Sequence, residues 1–311
     1  MEYTHLPVLL QPCIDALNIK PDGIYVDGTL GRAGHSREIA KRLNEEGRLI
    51  CIDRDQAALD AAPGRLGELM DRVTLVHGNF GDIADILDRL SIERVDGMLF
   101  DLGVSSPQLD DASRGFSYMQ DAPLDMRMDQ SSELNAYEVI NHWPEEELKQ
   151  ILWRYGEERY APAIARAIVQ KRSDKPVETT LELVDVIKGA MPPAALREKQ
   201  HPAKRSFQAI RIAVNDELGA VEKMVSDAVP RLNVGGRLAI ISFHSLEDRI
   251  VKTGMAEFAK GCTCPPDFPV CVCGKTPEIK LTPRKPIVAD NRELNENPRA
   301  RSAKLRVAEK L

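Results

Sequence analysis

One spacing in the first hundred residues constrains both the fold and its ligand. A short apolar run at 24–26 is followed by a turn with glycines at every third position from Gly28 to Gly34. A second apolar run, 49–52, ends at Asp53. Glycines let the backbone approach a ligand closely, and an acid at the tip of the next strand accepts hydrogen bonds from ribose hydroxyls. The spacing predicts a site for a nucleoside-bearing cofactor; the alternative is a tight turn beside a surface aspartate.

The glycine pattern separates two kinds of cofactor. Dinucleotide-binding turns carry G-x-G-x-x-G, which brings a helix N-terminus to a pyrophosphate, whereas this turn reads G-x-x-G-x-x-G. Asp27, directly before the first glycine, would repel a phosphate but suits a cofactor with an ammonium group. We therefore expect S-adenosylmethionine rather than NAD, with Asp27 and Gly31 among its contacts.

Short apolar runs alternate with helical patterns through this region. The predicted helices are 33–44, 55–69 and 81–90, and the predicted strands are 24–27, 48–53, 73–77 and 95–101. Apolar runs without polar alternation are typical of strands buried on both faces of a parallel sheet. The sequence thus predicts a doubly wound α/β fold. Ligands bind such folds at the carboxyl ends of the strands, where Asp27, Asp53, His77 and Asp101 stand.

The pattern changes after Asp101. Residues 106–135 have the composition of a loop, and from about 136 to 200 the signal is helical without a strand. We predict an inserted helical domain over 110–205 that recognises the substrate, within a sheet domain made of 1–109 and 206–311. The alternation then resumes with a helical stripe at 216–232, a buried strand at 237–243 and a terminal strand at 303–308.

Charge and hydropathy limit the function classes. The formal net charge of −6 argues weakly against a general coat for nucleic acid, although it says little about local patches. Between 275 and 306 nine Lys or Arg residues meet four acids, so this end can contact phosphates; a solvated surface is the alternative. No apolar run approaches the ~18 residues of a membrane span, and the polar N-terminus lacks the regions of a signal peptide. We expect a cytoplasmic protein.

The end of the fourth predicted strand carries the candidate catalytic residues, Asp101 and Ser106. Methylating an exocyclic amine is difficult because its lone pair is delocalised into the ring, and acceptors on the amine hydrogens help it attack. Ser106-Pro107 partly resembles the S/D/N-P-P-Y/F turn of amino methyltransferases, but Gln108 and Leu109 replace the second proline and the aromatic. A purely structural turn is the alternative.

The resemblance extends along the chain from residue 5 to its end, and its motifs are specific. The chain resembles the bacterial 16S ribosomal RNA cytosine-N4 methyltransferase family in the segments 27–36 (DGTLGRAGHS), 52–55 (IDRD), 101–110 (DLGVSSPQLD), 114–117 (RGFS), 123–128 (PLDMRM), 155–159 (YGEER), 242–249 (SFHSLEDR) and 297–302 (NPRARS). The resemblance implies a class I, Rossmann-like S-adenosylmethionine-dependent methyltransferase sheet with an inserted all-helical domain. It also implies a cytosine in the decoding region of 16S rRNA as the target.

Carried over by position, the resemblance implies cofactor contacts at Ala33, Gly34, His35, Asp53, Phe80, Asp101 and Gln108. The family usually has glycine where Ala33 stands, and a methyl group is tolerated there unless the position needs a positive φ. His35 and His244 are the two histidines that could be considered as a general base. A strong base is not required, because the amine becomes acidic once it is methylated; we interpret His35 as a turn residue at the cofactor.

Four cysteines form a separate motif. Cys262, Cys264, Cys271 and Cys273 make two C-x-C pairs that can close a tetrahedral structural zinc site. In a cytosolic protein this is favoured over a disulfide framework. A reduced, proline-rich loop is the alternative, and the resemblance does not decide between them because the cluster varies within the family.

The helical insert and the basic end are expected to dock RNA within the small ribosomal subunit. The candidate contacts are Arg114, Arg127, Lys204, Arg205, Arg299 and Arg301. Two rival functions are a DNA amino methyltransferase, disfavoured by the incomplete S-P-P-Y turn, and a non-catalytic ribosome-assembly factor, disfavoured by the intact turn before Asp53.

Overall fold

A parallel sheet organises the parts of the chain that flank the predicted insert. The computed structural model describes residues 7–264, 270 and 272–311. The strands of the described residues are β1 Ile24–Asp27, β2 Arg48–Asp53, β3 Val73–His77, β4 Val95–Asp101, β5 Leu232–Ser242, β6 Ile279–Leu281 and β7 Lys304–Lys310. The helices are α1 Leu10–Leu17, α2 Gly34–Ala40, α3 Gln56–Leu66, α4 Ile83–Arg89, α5 Ser106–Asp110, α6 Ala136–His142, α7 Glu145–Gly156, α8 Ala161–Asp174, α9 Thr180–Gly189, α10 Lys204–Asn215, α11 Glu217–Ala228, α12 Ser245–Ala259 and α13 Asn291–Glu296.

The strands of the described residues lie in the order β3-β2-β1-β4-β5-β7-β6. Strands β1 to β5 pair in parallel, and β7 runs antiparallel to both β5 and β6. Chain order reverses between β1 and β4, which is where a doubly wound sheet opens a crevice for ligands.

The apolar runs fill the two faces of this sheet. Tyr25 and Leu99 belong to one buried cluster, whereas Val26, Met98 and Phe100 belong to another. Successive side chains of a strand point to opposite faces, so a strand covered on both sides has to be apolar throughout. This explains the unbroken runs from which the strands were predicted.

The contacts divide the chain into two units, the first built from the residues up to Gly103 and from Leu218 onwards, the second from Val104–Glu217. The second unit is helical and has its own buried core. Our sequence boundaries for the insert were 110–205. The observed unit is longer because α10 contributes Phe207, Ile210 and Val214 to that core.

Several element predictions were wrong in detail. Residues 106–110 were predicted as loop but form α5, and the helix predicted to reach residue 232 ends at Ala228. Strand β5 begins before the glycine pair that we expected to precede it, because a register shift opposite β4 accommodates Gly235 at φ +80°. Helices α1, α10, α12 and α13 and strand β6 were not predicted. Within the described residues, no helix is long and apolar enough to cross a membrane.

Candidate active site

The acids predicted at the strand ends lie at one edge of the sheet. Asp27, Asp53 and Asp101 are the last residues of β1, β2 and β4, and these strands are parallel. Asp27 and Asp101 end the two strands between which the chain order reverses. The site is therefore at the position where the topology opens a crevice.

The glycine turn, residues 28–34, is fixed to the sheet by backbone hydrogen bonds. The Gly28 N–H donates to the Leu99 carbonyl at 2.8 Å, and the Leu30 N–H donates to the Ile52 carbonyl at 3.0 Å. A Cβ on Gly28 would lie 2.2 Å from Cε1 of Phe100. Only glycine permits this approach, so the turn is held directly above β1 and β4.

Asp27 orders the turn from inside. It is 1% exposed, and its carboxylate accepts hydrogen bonds from the Thr29 N–H and the Ser36 hydroxyl. Burial raises the pKa of Asp27 above its ordinary value, while the bonds from Ser36 and Thr29 lower it. Thr29 in turn accepts the Asp101 N–H at 2.6 Å through Oγ1. Asp27 is thus an internal anchor that links the turn to both strand ends.

Asp53 holds the same turn from the β2 side. Its Oδ2 accepts the Gly31 N–H at 2.8 Å, and its Oδ1 accepts the Asp55 N–H at 2.9 Å. Burial raises the pKa of Asp53 to about 6. A carboxylate has about four lone-pair sites, so each oxygen can still accept from a ribose hydroxyl.

Asp101 differs from the other two acids because one of its oxygens is unsatisfied. Its Oδ1 is buried and has no hydrogen-bond partner among the described residues. Burial, together with the Asp27 and Glu247 carboxylates, raises the pKa of Asp101 to about 8. A buried acceptor without a donor is rare in proteins and often marks a ligand site. This orphaned oxygen fits a group that brings N–H donors or positive charge.

His35 lies beside Asp101 but is engaged elsewhere. Its Nε2 is 3.1 Å from the Val8 carbonyl, to which it donates, and its Nδ1 is 3.9 Å from Oδ2 of Asp101. Burial lowers the pKa of His35 to about 4. The neighbouring Ala33 has φ +59°, so the one departure from the family pattern falls at a position that favours glycine.

Phe80 follows β3 and packs against the sheet. Its ring meets that of Phe100 edge-on, with centroids 5.9 Å apart and an interplanar angle of 64°. Phe100 is the residue that closes the space beside Gly28. The partly buried Phe80 is therefore supported from below by the residue that shapes the turn.

Two predicted site residues belong to the second unit. Ser106 is the first residue of α5, and Gln108 closes its N-terminal capping box by accepting the Ser105 N–H at 3.0 Å. Gln108 is buried. Its side-chain oxygen therefore stabilises the start of α5, a role that sequence reasoning did not assign.

Two candidate RNA contacts have internal roles. Arg114 is 6% exposed, and its Nη2 donates to the Arg127 and Met128 carbonyls at 2.9 and 3.0 Å. Arg127 forms an ion pair with Asp125 at 2.7 Å and donates to the Ser132 carbonyl. Nη2 of Arg114 is thus occupied by two backbone carbonyls, and its role as a phosphate contact stays a prediction.

The other four basic candidates are accessible. Lys204, Arg299 and Arg301 are exposed, whereas Arg205 is partly buried and donates to the Glu157 carbonyl at 3.2 Å. Arg299 and Arg301 lie in a short turn, Pro298–Ser302, that precedes β7.

Glu247 is a site residue that sequence reasoning missed. It is 1% exposed, and its Oε2 accepts the Phe243 N–H at 2.8 Å and the His244 N–H at 3.3 Å. His244 caps α12 and places Nε2 3.1 Å from Oε1 of Glu247. The signal was the H-x-x-E spacing, a capping box with histidine in the place of the usual serine or threonine.

Three of the four cysteines cluster. The sulfurs of Cys262, Cys264 and Cys273 all lie within 4.8 Å of one another. The Cys264 and Thr263 N–H groups point at the sulfurs of Cys262 and Cys273, each at 3.4 Å. Cys271, the fourth predicted ligand, lies outside the described residues.

The strand order, the glycine turn after β1 and the acid at the end of β2 define the class I fold of S-adenosylmethionine-dependent methyltransferases. The donor set fits that cofactor, because Asp101 offers an unsatisfied acceptor and Asp53 offers ribose acceptors. The sequence model of the MraW methylase family matches residues 2–311 of this chain. The chain therefore belongs to the MraW methylase family.

Curated relatives match along their whole length. Proteins named ribosomal RNA small subunit methyltransferase H are similar to this chain in Brevibacillus brevis, with 58% identity over 100% of this chain and 99% of the relative, and in Clostridioides difficile, with 55% identity over the whole of both. A relative of the same name from a Paenibacillus species is 57% identical over 99% of this chain and 100% of its own length.

Proposed function

We propose that this protein transfers a methyl group from S-adenosylmethionine to the exocyclic N4 amine of a cytosine in the decoding region of 16S rRNA. The proposal is supported by relatives that share more than 50% sequence identity with this chain and are named ribosomal RNA small subunit methyltransferases. The observation that carries it is the unsatisfied Oδ1 of Asp101 at the point where the chain order reverses. An acceptor at that point suits amine hydrogens.

The cofactor would be held by the three elements that meet at the sheet edge. Asp53 accepts from the ribose hydroxyls, Phe80 flanks the adenine, and the turn at Gly31 and Gly34 supplies backbone close to the methionine end. When bound, the cofactor supplies an electrophilic methyl group on a positively charged sulfur. The pKa of Asp101 is about 8 in the protein without cofactor, and the positive charge of the methionine end would favour its ionised form.

The residues of this chain then have to hold the amine nitrogen in line with the methyl carbon and the sulfur of the cofactor. Alignment of reacting groups can contribute roughly 7–11 kcal/mol to catalysis. Asp101 and Ser106 are the proposed acceptors for the amine hydrogens, with Asp101 also able to accept from the ammonium of the cofactor. His35 is neutral at pH 7, since its pKa is about 4, and its Nε2 is used by Val8. It takes no part in proton transfer in this scheme.

RNA docking is proposed for exposed cations in each unit. In the second unit, the stretch from Lys188 to Arg205 carries five Lys or Arg residues and one acid. In the first unit, Arg299 and Arg301 are exposed on the turn before β7. Clusters of this kind bind phosphates and release counterions. The partner would be 16S rRNA in the small ribosomal subunit, in the cytoplasm.

We also propose a structural zinc ion on the cysteine cluster. Sulfurs within 4.8 Å of one another are close enough to share one tetrahedral ion, for which Zn–S is about 2.3 Å. Backbone N–H groups directed at the sulfurs of Cys262 and Cys273 would stabilise thiolates. Cys271 would complete the four ligands, and a closed four-sulfur site leaves no position for substrate.

The decisive experiment compares 16S rRNA nucleosides by mass spectrometry from cells with and without the gene. N4-methylcytidine should disappear without it and return with the wild-type gene. Asp101→Asn should fail to restore the modification, whereas Asp60→Asn, at an exposed position on α3, should restore it fully. Persistence of N4-methylcytidine without the gene would refute the proposed substrate.

A further inference from the structure

The N-terminal strap, defined as residues 7–9, connects the glycine turn to a helix near the end of the chain. The Pro7 ring packs on Gly34 so closely that a Cβ there would lie 2.2 Å from Pro7 Cγ. The Val8 carbonyl accepts from His35 Nε2 at 3.1 Å. The Leu9 N–H donates to Oε1 of Glu293 on α13 at 2.6 Å. Three successive residues thus join two segments that are far apart in sequence.

Strained backbone lies close to both partners of the hydrogen bond between His35 and Val8. Leu9 has φ +51° and Ala33 has φ +59°, and both residues are almost completely buried. The left-handed region is strained for a residue other than glycine, because Cβ comes too close to the following carbonyl oxygen. Such strain persists only where the surroundings determine the conformation, and it concentrates at functional sites. The strap is therefore held in place by its contacts and not by its own preference.

Glu293 is the contact that holds Leu9. Leu9 is the N-cap of α1 and has no side chain that can accept a hydrogen bond from the first turn. The Glu293 carboxylate accepts the N–H of Leu9 itself and places a negative charge at the N-terminus of α1, where such a charge is stabilising. Burial and the carboxylates of Asp101, Asp27 and Glu293 together raise the pKa of the Cys13 thiol in α1. Glu293 therefore lies near the same buried thiol as the two acids of the site.

We infer that Glu293 is a positioning residue for the cofactor turn, acting through Leu9, Val8 and His35. Helix α13 leads directly into the turn that carries Arg299 and Arg301. RNA bound to those cations and cofactor bound to the glycine turn should therefore strengthen each other's binding, by the same factor in both directions. This second part rests on the proposed RNA substrate, whereas the first part does not.

The first part is tested by calorimetric titration of the full-length protein with S-adenosylmethionine. Glu293→Ala should raise Kd about tenfold, the size expected for loss of a charge-assisted hydrogen bond. Glu293→Gln keeps an acceptor and should recover part of the affinity. Glu296→Ala is the matched control, because Glu296 is an exposed acid on the same helix that pairs with Arg292; it should leave Kd unchanged.

Kinetics and a double mutant separate positioning from a general loss of stability. Glu293→Ala should raise the KM for cofactor and leave kcat at saturating cofactor within about twofold. His35→Ala should weaken cofactor binding as well, and the double variant should be little worse than either single one, because the two residues act in series. A lowered unfolding midpoint with unchanged Kd would overturn the inference, and so would additive effects in the double variant.

The second part is tested with small ribosomal subunits that lack the modification. Their affinity for the wild-type protein should rise when the non-reacting product S-adenosylhomocysteine is present, and Glu293→Ala should abolish that difference. Equal affinities for the wild-type protein with and without the product would overturn the linkage. Failure to methylate the subunits would refute the proposed function while leaving the calorimetric result on Glu293 standing.

Discussion

Asp101 should make the protein less stable at the pH at which it works. Its pKa is about 8 in the folded protein, against an ordinary value of 3.8. Between these two values the folded state keeps a proton that the unfolded state has lost. The free energy of unfolding therefore falls as pH rises through this window and levels off above about 8. Asp101→Asn carries no such proton and should remove this part of the pH dependence.

The size of the effect follows from the shift. Four pKa units correspond to about 5–6 kcal/mol, but the side chain is 25% exposed and solvent screens the charge. We expect Asp101→Asn to be more stable than the wild type by about 2–3 kcal/mol at pH 8.5 and equal to it at pH 4. The same variant should lose methylation.

Urea unfolding at pH 4 to 9 measures the difference between the two proteins. Asp53→Asn provides a comparison, since the pKa of Asp53 is about 6 and its difference curve should level off at a lower pH. The difference in free energy of unfolding between Asp101→Asn and the wild type should rise with pH. A difference that does not change with pH, or one that increases as pH falls, would refute the reasoning that the buried oxygen is unsatisfied.

Three further predictions concern other parts of the site. Asp53→Ala should weaken S-adenosylmethionine binding by about 1–3 kcal/mol, because ribose hydroxyls lose a charged acceptor; an unchanged Kd in calorimetry would remove Asp53 from the site. Gly28→Ala should destabilise the protein by about 1–3 kcal/mol through collision with Phe100, whereas Gly189→Ala, where an added carbon meets no described atom within 4 Å, should change stability by less than about 1 kcal/mol in thermal unfolding. Elemental analysis should find about one zinc per chain, lost in Cys264→Ser with little effect on methylation; metal-free protein with full activity would end the zinc proposal.

The strand ends were predictable because burial on both faces of a parallel sheet leaves a strong sequence signal. Asp27, Asp53 and Asp101 each follow an unbroken apolar run, and the structure ends a strand at each of them. Helix α12 was missed because its cap is His244, which is not a usual capping residue. Its apolar positions alone are too few to indicate a helix start.

The fate of the basic residues was not predictable from sequence. Arg114 donates to the carbonyls of residues 127 and 128, and backbone acceptors leave no trace in the side-chain pattern. Arg299, like Arg114, lies in a short 3-10 turn, yet it remains exposed. The difference depends on tertiary packing, which brings one arginine to a loop and leaves the other at the surface.

The insertion of the second unit after β4 has a consequence for synthesis on the ribosome. Asp101 of β4 pairs with Ile241 of β5, which lies 140 positions later in the chain. At roughly 5–20 residues per second, the edge of β4 waits about 7–28 s for its partner strand. The second unit can complete its own core before β5 is synthesised, since all the residues of that core precede β5 in the chain. The nascent chain thus carries a folded helical unit and a sheet whose edge at β4 is still unpaired. A chaperone, or a strand that pairs wrongly, would bind that edge first.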